Sequence, residues 1–551
     1  MYRPLKILIL LFFFLGLSEN VLGTNYYLNT LIGKDDNPGT SPDFPFQTIA
    51  KINATVIKAG DRILFAAGQQ FTGELQLIGV SGSHDKNIEV SSYQADHSTN
   101  LSIGHQKFLI NAKSKPNGIF IKDCQYLVIK NAIINANGYF GDIRPENTMR
   151  VGVFITASPG KTTKHIHIDS LEIENIYFEN QGFVRGIEEI KTANGTQRYG
   201  WGIRLMAPDK TSEITQINIS HVKIRDVSHT GIKLTGSNKN INWVNIYEND
   251  IAYTGGPGIQ MSEVKNIHVH NNSVDHSGSN NDSRKWGRGS GLWTWSASNV
   301  LIEKNNFTNA NGPGDSAGAH IDFNCDHVVL QYNFSAKNAG GFCEILGNNY
   351  NCAYRYNVSV NDGHRIKGKD GAFQEGKIFW LSGYQGNLNP RKGPVNSYFY
   401  NNTIYVDSTI TARIAIDGTS RGILIANNIF YIMGDSKMVL GDQNKADGGR
   451  DKLEGPVLFT NNLFFSKSSW PENSGLGAIV LQTVNPEFKN PGGLRAEDYT
   501  PENSGPIAGK GLIIRPLDGD FIGLLHGMNP DKDILGNFIN NMTPIGAIIS
   551  K

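Results

Sequence analysis

The sequence predicts an all-β solenoid, in which short strands recur once per coil and the coils stack into one column. The first observation is a recurring segment, such as Gly202-Ile-Arg-Leu and Gly231-Ile-Lys-Leu, in which a small residue precedes alternating apolar and variable positions. Alternation with a period of two is typical of a half-buried strand. The second observation is the spacing, because corresponding positions lie 24 to 33 residues apart. A nearly constant period of this size indicates stacked repeats.

One set of variable residues falls on the same outward face when the segments are aligned on their apolar positions. Neighbouring coils of a parallel stack are ~4.8 Å apart, and alternate residues of one strand are ~6.5 Å apart. We therefore expect these side chains to line one elongated groove. The set is Arg204, Lys233, Gln260, Trp293 with Trp295, His320 with Asp322, Glu344 and Lys377.

A second motif, in which apolar residues alternate before an Asn, recurs from about Cys124 to Phe465 and marks another strand of each coil. Asn tolerates left-handed backbone and bonds to neighbouring backbone in turns. We therefore expect a structural role for this Asn. The last Asn of each copy is Asn272, Asn306, Asn333, Asn357, Asn402, Asn428 or Asn462.

Composition agrees with many short strands joined by turns. The 551 residues include 61 Gly, only 18% are charged, and the formal net charge is +1. This balance gives no indication of nucleic acid or an anionic membrane as a partner. The four Cys are too few for a disulfide framework. We expect Cys343 to fill the interior, whereas a bridge between Cys325 and Cys352 is left open.

The first residues have the features of a secretory signal peptide. Arg3 and Lys6 precede an apolar run from Ile7 to Leu17, and Gly23 lies at the expected cleavage site. Residues 1–23 are thus predicted to direct export, to the periplasm or the medium. The run is too short to span a membrane, and no later stretch reaches ~18 apolar residues. We expect a monomer with no membrane span.

Both ends of the remaining chain resemble known β-helix proteins. Tyr26-Tyr-Leu, Pro45-Phe-Gln and Gly60-Asp-Arg-Ile are similar to the N-terminal cap of pectate-lyase-like, right-handed parallel β-helix proteins. Pro486-Glu-Phe and Asp533-Ile-Leu-Gly resemble the closing segment of exported bacterial carbohydrate-active enzymes of that fold. The resemblance implies one right-handed parallel β-helix domain over residues 24–551. Its cap would cover about 24–75, its coils about 60–480 and its closing segment about 480–551.

The outward face carries a cluster of ionisable residues suited to catalysis. His320, Asp322 and Glu344 should meet in one patch, where two stacked carboxylates repel each other. One of them should therefore have a raised pKa, or Asp322 and Glu344 together should hold a cation such as Ca²⁺. The same carboxylates should raise the pKa of His320, while desolvation opposes that rise.

Aromatic and polar residues beside this cluster indicate a carbohydrate substrate, because flat rings stack on the apolar faces of sugars. We expect the groove residues outside the catalytic patch to bind that substrate. To those aligned above, the surrounding segment adds Trp286, Arg288 and Asp315.

A basic segment, Asp362-Gly-His364-Arg365-Ile-Lys367, follows the Asn357 strand. Its cationic groups are suited to a carboxylate or sulfate. Arg365-Ile-Lys367 resembles the Arg-Ile-Lys motif of the polygalacturonase family of glycoside hydrolases. The Asn-Thr-Asp and paired-Asp motifs of that family are absent from this sequence.

Our first functional hypothesis is an exported lyase that degrades an acidic or sulfated glycan by β-elimination. His320 would remove the proton beside a uronate carboxylate, and Arg365 with Lys367 would neutralise its charge. Asp322 and Glu344 would orient the base or bind Ca²⁺, and His364 is a further candidate. If a ring hydroxyl left instead of a glycosidic oxygen, the same groups would make a dehydratase.

Two other hypotheses remain open. A glycoside hydrolase on the same scaffold would use Asp322 and Glu344 as acid and nucleophile or base. A non-catalytic glycan-binding solenoid would use the groove alone. Elimination creates an ultraviolet chromophore, hydrolysis creates a reducing end without it, and binding creates neither.

Overall fold

The computed structural model describes residues 23–95, 106–137, 149–179, 182, 199–279, 289–385, 389–439, 455–466, 482–540 and 542–549. Most of the predicted signal peptide lies outside these residues, as do Trp286 and Arg288. In the ranges that are described, no helix is long and apolar enough to cross a membrane.

Nearly all regular structure in these ranges belongs to three long parallel sheets, of 14, 14 and 12 strands. Sheet 1 contains Asn25–Leu28, Arg62–Ala66, Ile88–Tyr93, Gln125–Lys130, Thr162–Asp169, Glu213–Ser220, Ile241–Tyr247, Val264–His270, Ser298–Glu303, Asp326–Gln331, Ala353–Arg355, Val395–Tyr400, Arg421–Ala426 and Val457–Thr460. Sheet 2 contains Gln70–Thr72, Phe108–Asn111, Ala132–Ala136, Glu172–Ile176, Lys223–Val227, Asp250–Thr254, Ser273–Asp275, Asn306–Thr308, Phe334–Ala336, Val358–Val360, Thr403–Val406, Ile429–Ile432, Leu463–Phe464 and Gln482–Thr483. Sheet 3 contains Leu75–Ile78, Asn117–Lys122, Met149–Thr156, Tyr199–Met206, Ile232–Thr235, Ile259–Ser262, Leu292–Trp295, Ala319–Ile321, Gly341–Ile345, Lys377–Leu381, Ala412–Ile416 and Ser436–Met438.

The chain visits sheets 1, 2 and 3 in turn, and each strand pairs with its counterpart in the next coil. This architecture is a right-handed parallel β-helix, which confirms the predicted fold. The stack begins earlier than expected, since Asn25–Leu28 already pairs with Arg62–Ala66. Between them lies a one-turn helix, Ile49–Asn53, which buries Ile49 and Ile52. A short 3-10 helix, Ala496–Tyr499, follows the last coil.

The inward positions of successive strands stack into a continuous apolar interior. In sheet 3, Ile155, Leu205 and Leu234 lie in register and are fully buried. Cys343 occupies such a position beside Phe379, as expected. All four Cys are buried and free, so the bridge left open between Cys325 and Cys352 is not formed.

The small residue that precedes each groove strand has a steric cause. A Cβ added at Gly258 would lie 2.7 Å from the carbonyl oxygen of Gly291, and one at Gly291 would lie 2.3 Å from that of Gly318. Coils therefore approach at this corner more closely than any side chain allows. The recurring glycine fixes where each groove strand begins.

The Asn ladder is a chain of buried amides that links consecutive coils. Asn305 Nδ2 donates to Asn333 Oδ1 at 3.0 Å and to the Val269 carbonyl at 3.0 Å. Two sequence-based details were wrong. Asn305 is the ladder member, and Asn306 is exposed. The left-handed residue is the one before the ladder Asn, as at Lys304 and Asn427, because the amide itself points inward.

Candidate active site

The predicted outward ladder forms on sheet 3. The register pairs Arg204 with Lys233, Lys233 with Gln260, Gln260 with Trp293, and Trp293 with His320. Ile321 pairs with Ile345, so Glu344 occupies the position next to His320 one coil further on. His320 and Glu344 thus share one face, as expected.

Lys377 departs from the predicted register. The strand residue beside Glu344 is Trp380, and Lys377 pairs with Gly341 at the start of the strand. The loop before this strand is long, which shifted the sequence alignment by three positions. Lys377 Nζ nevertheless lies 4.0 Å above the Trp380 ring. Its charge lowers the pKa of Glu344, so the two side chains remain electrostatically coupled.

His320 is the centre of a buried polar cluster. Its Nδ1 lies 3.2 Å from Ser290 Oγ, and its Nε2 lies 3.9 Å from Asp322 Oδ2. The second distance is an ion pair that is too long for a hydrogen bond. The imidazole also stacks on Trp293, with ring centroids 6.0 Å apart. His320 is therefore fixed in orientation by three neighbours.

Glu344 is a buried carboxyl group, only 6% exposed. Neither of its carboxylate oxygens has a hydrogen bond or ion pair among the described residues. Burial raises the pKa of Glu344 to about 7, and the charges of Asp315 and Asp322 add to the rise, while His320 and Lys377 oppose it. At neutral pH this carboxyl group holds a proton much of the time, which suits a proton donor.

The same arrangement weakens His320 as a base. Burial alone would lower its pKa, but the charges of Glu344, Asp322 and Asp315 outweigh it and raise the pKa to about 9. The direction agrees with the sequence-based expectation. At neutral pH the ring is an imidazolium, so it cannot accept a proton without first losing one.

Asp315 belongs with this cluster rather than with the outer binding residues. Its charge raises the pKa of both His320 and Glu344. It lies in a tight loop with a φ of +47°. Its backbone N–H donates to Gln374 Oε1 at 2.5 Å, and its carbonyl accepts from Arg365 Nη1 at 2.9 Å. A loop from two coils further on therefore holds Asp315 in place.

Arg365 is consequently a positioning residue. Besides Asp315, its donors bond to the carbonyl oxygens of Gly312 at 3.1 Å and Gln374 at 2.8 Å. These bonds join the loop before the His320 strand to the loop before the Lys377 strand. The predicted role of Arg365 as a neutraliser of a substrate carboxylate does not fit a buried guanidinium that is committed to backbone carbonyls.

His364 and Lys367 are not brought to the His320 cluster. Both are exposed, and His364 lines a separate cleft of about 530 Å³ beside sheet 2, together with His276, Asn311 and Lys337. The basic segment is thus split, because Arg365 points inward while its neighbours face solvent. The catalytic roles predicted for His364 and Lys367 have no support from this geometry.

The far end of the groove is cationic and aromatic. Arg204 lies over the Trp201 ring at 4.0 Å, and Lys233 Nζ lies 5.7 Å from the same ring. Burial and the charge of Arg204 lower the pKa of Lys233 to about 7. Trp201 was missed by sequence reasoning, although it directly precedes the recurring Gly202 segment. Nearer the centre, Trp295 is 40% exposed and packs edge-on against Trp293.

No group of three or more His, Cys, Asp or Glu side chains suited to a metal ion occurs in the described ranges. The calcium hypothesis therefore gains no ligands beyond Asp322 and Glu344.

Comparisons with known proteins place this geometry in context. The family model for the right-handed β-helix region matches residues 205–404. Lacto-N-biosidase of Bifidobacterium longum is 22% identical over 625 aligned positions, which cover 96% of this chain and 36% of the relative. This chain therefore spans about a third of the curated relative's length.

Two solved structures show the same fold. The lacto-N-biosidase of glycoside hydrolase family GH136 from Eubacterium ramulus has a TM-score of 0.52 at 19% identity and covers 79% of this chain and 68% of its own. The complex of XylC with xylose has a TM-score of 0.51 at 11% identity and covers 96% and 99%. They confirm the resemblance to right-handed parallel β-helix carbohydrate-active proteins.

The hypothesis of a β-eliminating lyase is wrong. The curated relative over nearly the whole chain is a glycoside hydrolase, and so is the first of the two solved structures. The charged His320 agrees with this correction, since elimination would need it neutral. The chain is thus a right-handed parallel β-helix that is similar to glycan-hydrolysing proteins of this fold.

Proposed function

We propose that this protein is a glycoside hydrolase whose active site is the sheet 3 groove around His320. The observation that carries the proposal is the buried carboxyl group of Glu344, with its pKa raised to about 7, one coil away from Asp322. A pair of carboxyl groups with different environments is the usual machinery for cleaving a glycosidic bond. Glu344 would protonate the departing oxygen.

Asp322 would be the second carboxyl group. Its Oδ1 accepts a hydrogen bond from the Phe323 N–H at 2.8 Å, and its Oδ2 faces the His320 imidazolium. Asp322 would attack the anomeric carbon or activate water. Asp322 and Glu344 differ by one coil and two strand positions, so their Cα atoms are about 8 Å apart. Anomeric product analysis would show whether the enzyme retains or inverts.

The third carboxyl group, Asp315, is held against the same centre. A non-glycine residue with positive φ is costly unless its surroundings impose it, and such residues cluster at functional sites. Arg365 and Gln374 supply that constraint here. We assign Asp315 a direct contact with the sugar at the cleavage point.

The aromatic residues of the groove support a carbohydrate substrate. Trp293 and Trp295 present ring surface beside the carboxyl groups, where a sugar ring can stack. The name of the relatives supports a lacto-N-biose unit as the first substrate to try. For this chain, we propose an oligosaccharide or glycan bearing such a unit.

The test is incubation with a chromogenic lacto-N-bioside and with a panel of neutral and uronate-containing oligosaccharides. We expect new reducing ends without the ultraviolet absorbance of an unsaturated sugar. Glu344→Gln and Asp322→Asn should each reduce the rate on the order of 10²–10⁴-fold. Azide should partly restore an Asp322→Ala variant, because a small anion can replace the missing carboxylate. Cleavage that produces the unsaturated chromophore, or full activity in both variants, would contradict the proposal.

A further inference from the structure

The outer face of sheet 1 contains a second cleft, on a different face from the sheet 3 groove. Its volume is about 530 Å³, within the range of small-molecule sites. Five ring side chains line it, and three of these, Tyr126, His165 and Trp243, share one strand position. The amide and imidazole groups of Asn218, Gln216 and His167 line the same cleft. None of the lining residues is Lys, Arg, Asp or Glu.

These rings occupy one structural position, repeated from coil to coil. The residue there is left-handed in each case, with φ of +54° at Tyr126, +52° at His165 and +52° at Trp243. In later coils the same position is Asn266 and Asn299. Asn is the side chain that best tolerates this conformation, whereas a bulky one is strained there.

The strain at Trp243 brings no gain in packing. Its side chain is 63% exposed, so the indole is left facing solvent in a conformation that favours Asn. The fold does not require this residue, because the coil before it closes the same turn with Gln216 and the two coils after it do so with Asn266 and Asn299. A strained and exposed aromatic residue above a polar cleft indicates a binding role.

Two of the rings form a stacked pair, and the third stands apart from them along the sheet. The Tyr126 and His165 rings stack, with centroids 4.2 Å apart and planes 13° apart. Trp243 lies three coils beyond Tyr126, which is about 14 Å along the sheet. Burial lowers the pKa of His165 and of His167, so both imidazoles are neutral near pH 7. The cleft therefore combines aromatic faces with uncharged hydrogen-bonding groups.

We propose that this cleft is a second carbohydrate-binding site, which takes a neutral glycan chain. Aromatic faces stack on sugar rings, and amide and imidazole groups bond to hydroxyls. Nucleic acid is the other ligand that stacks on aromatic platforms, but it requires a cationic groove along its backbone, which this cleft lacks. Because the site lies away from His320, it would hold a polymer on the enzyme without taking part in cleavage.

The experiment is native electrophoresis through gels that contain xylan, β-galactan or galactomannan, with polygalacturonate as the anionic comparator. The Glu344→Gln protein serves as the background, so that the polymers are not degraded. We expect retardation by at least one neutral polymer. Trp243→Asn should weaken that interaction at least fivefold while leaving the thermal midpoint unchanged or higher, since Asn suits the backbone. Phe521→Ala removes another exposed ring, 97% exposed, and should bind normally.

Absence of retardation by all three neutral polymers would overturn the proposal. So would equal binding by Trp243→Asn, or equal retardation by polygalacturonate. Hydrolysis of a small substrate, measured with Glu344 intact, should be unchanged by Trp243→Asn. Retardation in the gel measures binding and does not require catalysis. The binding result therefore stays interpretable even if the proposed hydrolase activity is wrong.

Discussion

Chemistry at the residue scale arises from the crowding of four ionisable side chains. Asp315 and Asp322 raise the pKa values of both His320 and Glu344, and these two groups act on each other in a groove with little solvent. Burial and negative neighbours keep a proton on Glu344, and the same carboxylates keep a charge on His320. His320 and Glu344 thereby hold protons at neutral pH that they would largely lose if they were alone in water.

The pH profile should reflect the proton on Glu344. A donor must be protonated, so activity should be highest below about pH 7 and should fall as pH rises through the pKa of Glu344. The imidazolium of His320 lowers that pKa. Its removal in His320→Gln should therefore move the falling limb to higher pH, while also reducing the maximal rate. The measurement is kcat/KM between pH 4 and 9.

The matched control for this profile is His364→Gln, which removes an exposed imidazole from a different cleft. The falling limb of the pH profile of this variant should coincide with that of the wild type. A limb that moves downward in His320→Gln would show that Glu344 is not the donor, because the sign of the coupling would be reversed.

At the element scale, the coils are joined by polar as well as apolar ladders. Each ladder Asn bonds to the Asn of the next coil and to a strand carbonyl of the preceding one, so every amide in the row depends on its neighbours. Loops are joined similarly, since Arg365 fastens two consecutive insertions beside the groove. The site is rigid because each coil holds the next.

Adjacent residues allow a sharp test of this ladder. Asn305→Ala leaves buried partners on Asn272, Asn333 and Val269 unsatisfied, and should destabilise the protein by about 1–3 kcal/mol. Asn306→Ala removes an exposed amide from the next position and should change stability by less than about 0.5 kcal/mol. Thermal unfolding followed by circular dichroism measures both. Equal losses of stability in the two variants would contradict the assignment of Asn305 to the ladder.

On the scale of the whole molecule, the closing segment covers the outer face of sheet 1 in its last coils. Asp520 accepts hydrogen bonds from Asn351 Nδ2 at 2.9 Å and from the Tyr398 hydroxyl. Arg355 Nη2 donates to the His526 carbonyl at 3.1 Å. The Trp243 cleft lies on the same sheet but outside this cover.

Asp520→Asn should loosen the closing segment. Burial raises the pKa of Asp520, but hydrogen bonds from Tyr398 and from the N–H groups of Gly523 and Ile522 lower it further than that. Its stabilising effect is therefore present above about pH 4 and is lost as pH falls through the lowered pKa. We expect a lower thermal midpoint and faster proteolysis of the segment at pH 7, with hydrolysis in sheet 3 retained.

Asp518→Asn is the control, because Asp518 is exposed two residues away. Its midpoint should match that of the wild type at pH 7. If both variants unfold at the wild-type temperature, the contacts of Asp520 do not hold the closing segment.

The sequence by itself determined the repeating elements and the side chains on their faces. The alternation in Gly231-Ile-Lys-Leu predicted which residues point outward, and the register then placed His320 beside Trp293 as expected. A period of two and a fixed coil spacing leave little freedom in the pairing register of the strands. A shift of the register by one residue would turn the apolar side chains toward solvent. Resemblance supplied the handedness.

Only the tertiary structure decided what the loops and long side chains do. Lys377 was misaligned because a long loop precedes its strand. Arg365 was predicted to bind substrate because a run of basic residues in the sequence does not reveal which of them is buried. Asp315 is held at the catalytic cluster by bonds from a loop two coils further on. The protonation of Glu344 depends on burial and on charges from the coils on either side of its own. Burial, loop contacts and pKa shifts all depend on residues that are close in space but distant in sequence, and local sequence does not encode them.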